Sequence, residues 1–176
     1  LTFSLGGAPV KKKISIASLI MDSAKFALTG SNVRCDFSLP GNLFPIEADE
    51  GQISQVINNL VINAYQALPE GGTIQVSAEN VAVRQSDILP LKDGKYLKIT
   101  VRDQGIGIPE ENIGKIFDPY FTTKQDGTGL GLATAYSIIR NHGGLIEASS
   151  EVGKGTTFLI QLPATGAPAA AAGTTP

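Results

Sequence analysis

Asn59 and Asn63 stand four residues apart in a stretch, Asp49 to Leu68, whose apolar residues recur at Ile53, Val56, Ile57, Leu60, Ala64 and Leu68. That spacing predicts a helix with one apolar face. At 100° per residue the two asparagines lie about 40° apart on one side of it. Gln52, Gln55 and Gln66 extend that side into an amide stripe. Amides donate and accept hydrogen bonds without carrying charge. A merely solvated face usually carries Asp, Glu, Lys or Arg, and the two central turns here carry none.

A second group is Asp103-Gln104-Gly105-Ile106-Gly107-Ile108-Pro109, directly after an apolar strand pattern. Two glycines let the backbone turn and approach a flat ligand closely. A carboxylate at the strand end accepts, so it favours an exocyclic amine such as adenine N6 and repels the carbonyl oxygen that guanine places at the same edge. Read singly, the motif is also compatible with a plain acidic β-turn. The third group is Gly127-Thr128-Gly129-Leu130-Gly131-Leu132, which opens a helix. Free backbone N–H groups at a helix start, reinforced by the helix dipole, make an anion site. The P-loop pattern is absent, and the dinucleotide Gly-x-Gly-x-x-Gly fails because residue 132 is Leu. The cradle is therefore of another type, with a flexible hinge as the plain alternative. Between these groups lies Phe117-Asp118-Pro119-Tyr120-Phe121-Thr122-Thr123-Lys124. Its aromatics would anchor a mobile segment on the core, and Lys124 could reach a phosphate as a point charge.

In this order the four groups resemble the GHKL superfamily, shared by DNA gyrase, heat-shock chaperones, histidine kinases and mismatch-repair proteins. The sequence is most similar to sensor histidine kinases. Gln55-Val56-Ile57-Asn58-Asn59-Leu60-Val61-Ile62-Asn63-Ala64 resembles their N box, and Gly153-x-Gly155-Thr156-x-Phe158 their last motif. The likeness extends from about Asp49 to Leu162.

The resemblance implies ATP and Mg2+ as ligands. It implies that Asn63 gives a side-chain oxygen to magnesium, with Asn59 beside it near the phosphates. Asp103 would take adenine N6, supported by Thr156, in a pocket shaped by Gly105, Gly107 and Ile108. Gly127, Thr128, Gly129, Leu130, Gly131 and Leu132 would close over the phosphates with Lys124. It further implies transfer of the γ-phosphate to a histidine on a separate dimerisation helix domain, and then to a response-regulator receiver domain. ATP-hydrolysing relatives carry a glutamate four residues before the magnesium asparagine. This chain has Asn59 there, and an amide cannot take a proton from water, which favours transfer over hydrolysis. Many histidine kinases have Lys at the position of Gln66, so Lys124 is expected to supply that charge; some nitrogen-regulatory-type kinases are similar in both respects. Alternatives within reach are a protein-serine kinase or anti-sigma factor of the same superfamily, and a nucleotide-dependent interaction module without catalysis.

The elements that must hold these groups read as follows. Apolar spacing predicts a helix over Ile14 to Leu28, a strand over Asn32 to Leu39, a short strand over Phe44 to Glu47 and the helix from Asp49. Strands follow at Thr73 to Val83 and Lys95 to Asp103, then an irregular stretch from Pro109 to Asp126. A helix from about Thr128 to Asn141 is stopped by Gly143-Gly144, and Leu145 to Ser149 and Gly155 to Leu162 form a hairpin. The sum is an α/β two-layer sandwich, a mixed sheet with three main helices on one face, which the resemblance makes a Bergerat-type ATP-binding fold. Residues 1–13 read as the end of a preceding helix pair plus a linker, 14–162 as the ATP-binding domain, and 163–176 as a disordered linker.

Composition narrows the rest. Of 176 residues 42% are apolar, and the net charge is −2. There is no basic stripe, so no nucleic-acid partner is expected. Lys11, Lys12 and Lys13 read as a solvated linker or helix start. Cys35 alternates with Val33, Phe37 and Leu39 and reads as a strand core residue, not a nucleophile. The sole histidine, His142, reads as a surface residue at a helix end, which leaves the phosphoacceptor outside the chain. No apolar run is long enough to span a bilayer, so the fragment is expected to be cytoplasmic without direct membrane contact, which is compatible with a membrane-anchored parent.

Overall fold

A computed structural model describes residues 7–84, 91–123 and 129–165. Its elements run β1 (Lys12–Ile14), α1 (Ile16–Ala27), β2 (Val33–Ser38), β3 (Ile46–Ala48), α2 (Glu50–Gln66), β4 (Gly72–Val83), β5 (Gly94–Asp103), α3 (Glu110–Ile113), α4 (Gly131–Asn141), β6 (Leu145–Glu151) and β7 (Gly155–Pro163). Five strands form one mixed sheet in the order β2-β4-β5-β7-β6. Only β2 and β4 pair in parallel. Helices α1, α2 and α4 cover a single face, with α2 in the middle. The fold is the two-layer α/β sandwich that the pattern of elements predicts.

Period-two alternation explains why one face is covered. In β2, Val33, Cys35 and Phe37 turn inward while Arg34, Asp36 and Ser38 are exposed. Burial, followed by the neighbouring Asp36, pushes the Cys35 thiol up to about 11, so this cysteine stays a thiol and is not a nucleophile. Across the sheet Ile74, Val76, Ile99, Val101, Phe158 and Ile160 point to the helices. They meet the α2 stripe of Ile53, Val56, Ile57, Leu60 and Ala64, all essentially inaccessible. Burial of such side chains at roughly 1.5–3 kcal/mol each is the main force clamping α2 onto the sheet.

Three differences from the sequence reading have physical causes. Lys12–Ile14 is a strand paired antiparallel with Ile46–Ala48, where a linker and helix start were expected. Two of its three side chains are exposed lysines, so it carries no apolar signal. After β7, Ala164 and Thr165 still donate backbone hydrogen bonds to Lys95 and Pro45, although no large apolar side chain marks them. Residues 166–176 and 1–6 lie outside the described residues.

The third difference is His142, which is buried at 4% exposure instead of lying on the surface. Its Nδ1 donates to the carbonyl oxygen of Ile138 over 2.8 Å, and its Nε2 accepts the backbone N–H of Asp49 over 3.0 Å. Backbone N–H groups carry no sequence signature, so the local pattern at a helix end could not disclose this partner. Asp49 itself is the expected N-cap of α2, its Oδ1 accepting from Gln52 N–H over 3.1 Å. Its Oδ2 accepts from Val10 N–H over 2.9 Å. One residue thus ties the N-terminal segment, the start of α2 and the end of α4 together.

Candidate functional site

The apolar stripe that docks α2 also fixes where its amides point. Asn59 and Asn63 turn away from the sheet toward α4 and the loop after β5. Asn59 Nδ2 donates to the backbone carbonyl oxygen of Gly131 over 2.9 Å. The amide stripe is divided in use: Gln52 Nε2 donates to Gly7 O at the N-terminal segment, whereas Asn59, Asn63 and Gln66 line a cleft.

Strand β5 ends at Asp103, which is 2% exposed and pairs across the sheet with Thr156 of β7. Its Oδ1 accepts from Gly105 N–H over 2.8 Å. Burial holds the Asp103 carboxyl above its ordinary value of 3.8, against the opposing pull of the Gly105 and Thr156 backbone N–H groups. The chain then folds onto the end of α2, and Ile106 N–H donates to Ala67 O over 3.0 Å. A Cβ on Gly105 would lie 2.1 Å from that same oxygen. Gly107 has φ +78, and a Cβ there would lie 2.3 Å from Glu151 O. These glycines are demanded by close backbone approach. Ile108 N–H next donates to Ser150 Oγ over 2.7 Å, and Ser150 Oγ lies 2.8 Å from Thr156 Oγ1.

Helix α4 opens at Gly131 with no side-chain cap from Leu130, and the N–H groups of a first helical turn lie beyond any intrahelical acceptor. The preceding aromatic segment divides in two. Phe117 sits 5.5 Å from Tyr136 of α4 and 6.3 Å, edge-on, from Phe158 of β7, and Phe121 packs on the core. Tyr120 is instead exposed, with φ 69, and its N–H donates to Gly129 O over 2.9 Å.

These parts enclose a cleft of about 680 Å³. Of the residues singled out in the sequence, Asn59, Asn63, Gly107, Ile108, Gly129, Gly131, Leu132 and Thr156 line it. Asp103 lies beside Thr156 on the neighbouring strand without lining the cleft itself, Gly105 is turned onto α2, and Leu130 is not part of the wall. Lys124, Gly127 and Thr128 lie outside the described residues. The sequence reading did not single out Ile62, Ala67, Asn112 and Ile116 as lining, nor Ser150 as the group linking Ile108 to Thr156. Ile62 was findable, since at 100° per residue it flanks the amide stripe of α2. The others depend on non-local packing. Among the described residues the lining carries no charged side chain, and no cluster of His, Cys, Asp and Glu could cage a metal. The cleft offers amide oxygens, hydroxyls, backbone N–H groups and apolar walls.

Residues 48–166 match the model of the family described as histidine kinase-, DNA gyrase B-, and HSP90-like ATPase. The chain is 44% identical to the sensor kinase CckA of Brucella abortus (strain 2308) over 141 residues, 77% of this chain and 15% of that protein. It spans 15–31% of the length of such curated relatives. The catalytic domain of histidine kinase ThkA superposes with a TM-score of 0.70 at 32% identity, covering 88% of this chain and 96% of that one. The full-length ShkA structure, in complex with AMPPNP, shares the fold with a TM-score of 0.72 at 24% identity, over 91% of this chain and 32% of that one.

Proposed function

The chain belongs to the histidine kinase-, DNA gyrase B- and HSP90-like ATPase family, and on that premise we propose that it is the ATP-binding catalytic domain of a sensor histidine kinase, presenting the γ-phosphate of ATP to a histidine on a separate helix domain. The carrying observation is one cleft that takes walls from Asn59 and Asn63 of α2, the Gly107–Ile108 loop, the Gly131 start of α4 and Thr156, the cross-strand partner of Asp103. Its volume is that of a small-molecule site, typically about 300–1,000 Å³. Curated relatives such as CckA, ZraS and sporulation kinase A carry kinase names, and none of those names is that of a serine kinase or an anti-sigma factor.

In this reading the purine enters between Ile108 and Thr156, with its exocyclic amine toward Asp103. The triphosphate then runs along Asn59 and Asn63 to the start of α4, where the first-turn backbone N–H groups and the helix dipole favour negative charge. An uncharged lining suits a triphosphate only if a cation accompanies it. The amide oxygen of Asn63 fits a Mg2+ ion that keeps most of its waters and its phosphate oxygens. Bound there, magnesium would neutralise phosphate charge. Lys124 is placed in the same role by its position in the sequence alone.

The chain's own contribution is positioning, which is most of what phosphoryl transfer requires. A neutral imidazole is already a nucleophile and needs no base from this domain. Asn59, as an amide already bonded to Gly131, offers none to a water. His142, buried with both ring nitrogens engaged, is not an acceptor for phosphate. The helix domain and a response-regulator receiver domain are the partners this function requires. Among the described residues no helix is long and apolar enough to cross a membrane.

Calorimetric titration with ATP and GTP, with and without magnesium, tests the reading. ATP should bind and GTP should not, and Asn63→Ala should remove the magnesium dependence. Phosphate should appear on an added phosphoacceptor helix domain and not on this chain. Rapid steady ATP hydrolysis by the isolated chain, or acid-labile phosphate on His142, would refute it.

A further inference from the structure

We propose that Ser150 is a positioning residue for purine selection: it locks the Thr156 hydroxyl as a pure acceptor, so that an exocyclic amine is admitted above Asp103 and a carbonyl is refused. The inference rests on the proposed ATP function and deepens it.

The argument is a count of hydrogens. Ser150, near the end of β6, has one hydroxyl hydrogen and two lone pairs. Its Oγ donates to the carbonyl oxygen of Gly155 over 2.9 Å, an atom that can only accept. The single hydrogen is thereby spent. One lone pair takes Ile108 N–H over 2.7 Å. The remaining contact, 2.8 Å to Thr156 Oγ1, must then run from Thr156 to Ser150. With its own hydrogen committed, Thr156 Oγ1 presents only lone pairs to the cleft it lines. Asp103, its partner across the strands, presents a carboxylate already fixed by Gly105 N–H.

Two acceptors side by side complement an amino group, which has two hydrogens, directly or through one bridging water. They leave a purine carbonyl facing only lone pairs, and an unmatched polar group discriminates more strongly than any gain in fit. Ser150 is not itself part of the cleft wall and reaches the cleft through Thr156. The same hydroxyl ties the glycine loop to the β6–β7 hairpin, so a merely structural role is the competing account. That role would weaken every nucleotide alike.

Dissociation constants for ATP and ITP separate the two, because ITP replaces the C6 amine with a carbonyl and keeps the same sugar and phosphates. Ser150→Ala frees the Thr156 hydroxyl to rotate and donate, and should shrink the ITP-to-ATP ratio of Kd values by about tenfold, the worth of roughly one hydrogen bond. Ser150→Thr, which keeps the hydroxyl on a strand-compatible side chain, should restore the ratio. In a Thr156→Val background, Ser150→Ala should leave the ratio unchanged, since the hydroxyl it controls is gone. Thermal melting of each variant confirms a folded chain. A parallel loss for both nucleotides, with the ratio intact, would overturn the positioning role while leaving the ATP site standing. A wild-type chain that fails to prefer ATP over ITP would overturn both.

Discussion

Asn59 Nδ2 lies 2.9 Å from the carbonyl oxygen of Gly131, so the helix bearing the proposed metal ligand is bonded to the first residue of the helix that receives the phosphates. The bond requires a donor. A carboxylate at this place would set two acceptors against each other. The amide therefore has a structural reason to be there beside its inability to act as a base.

Asn59→Asp should lower ATP affinity by about tenfold and the melting temperature by about 2–4 °C, as expected for loss of roughly 1 kcal/mol in a domain of this size. Gained hydrolysis is not expected, because the displaced start of α4 no longer holds the phosphates in place. Titration and a melting curve check both effects, and wild-type affinity in Asn59→Asp would remove the bond to Gly131 from the account.

The buried Asp103 carboxyl gives a pH dependence of known sign. Burial raises its folded pKa above 3.8, so the folded chain holds a proton there that the unfolded chain has lost. Its own contribution to stability therefore declines as pH rises from 3.8 through the folded value. ATP affinity runs the opposite way, since amine recognition needs the carboxylate, and should fall as pH drops through that same window. Asp103→Asn should flatten the acid limb and bring ATP and GTP affinities together. Titrations across acid pH test it, and an unchanged limb would assign it to another group.

Glycines 105 and 107 are fixed by contact. A methyl group on Gly105 would meet Ala67 O at 2.1 Å, and one on Gly107 would meet Glu151 O at 2.3 Å in a left-handed conformation. Backbone on both sides cannot yield without lifting the loop from α2 or from the hairpin. Each Gly→Ala change should cost about 1–3 kcal/mol and abolish measurable ATP binding. Gly114→Ala, with nothing within 4 Å of its added carbon, should do neither. Equal behaviour of the three variants in denaturant titrations would contradict the packing described.

Much of this arrangement is written in local pattern. The α2 stripe and the β2 alternation stand where apolar spacing places them, because each element buries one face and the period follows from its geometry. The order of Asn63, Asp103 and the Gly-rich run is legible because their chemistry is unusual for the elements that carry them. Ser150 is not legible, since a serine near the end of an exposed strand is ordinary until Ile108 and Thr156 arrive from elsewhere. The strand at Lys12–Ile14 is hidden by its lysines, and the left-handed Tyr120 by a residue type that gives no hint of it.

His142 supplies the last expectation, again with a definite sign. Its Nε2 is an acceptor for Asp49 N–H, which fixes the neutral tautomer protonated at Nδ1. Protonation would place donor against donor. Burial, aided by Lys11 and opposed by the Ile138 carbonyl and Asp49, lowers its pKa below 6.5. A depressed folded value means that the unfolded chain takes up the proton first, so stability is full above 6.5 and declines as pH falls from 6.5 toward the folded value. Asp49 titrates in a separate and lower window. Hydrogen bonds from Val10 and then Gln52 depress its carboxyl below 3.8, so its share of stability is lost only as pH falls from 3.8 through that lower value. Denaturant unfolding should therefore show a loss of stability just below pH 6.5 that His142→Gln abolishes while the deeper acid limb remains. At neutral pH His142→Ala should cost about 1–3 kcal/mol, the penalty of leaving the Asp49 N–H without its acceptor. Because that N–H begins α2 and the histidine ends α4, the same variant should also loosen ATP binding at a distance from the cleft. A His142→Ala chain as stable as wild type at pH 7 would show that the tie between the two helices carries no weight.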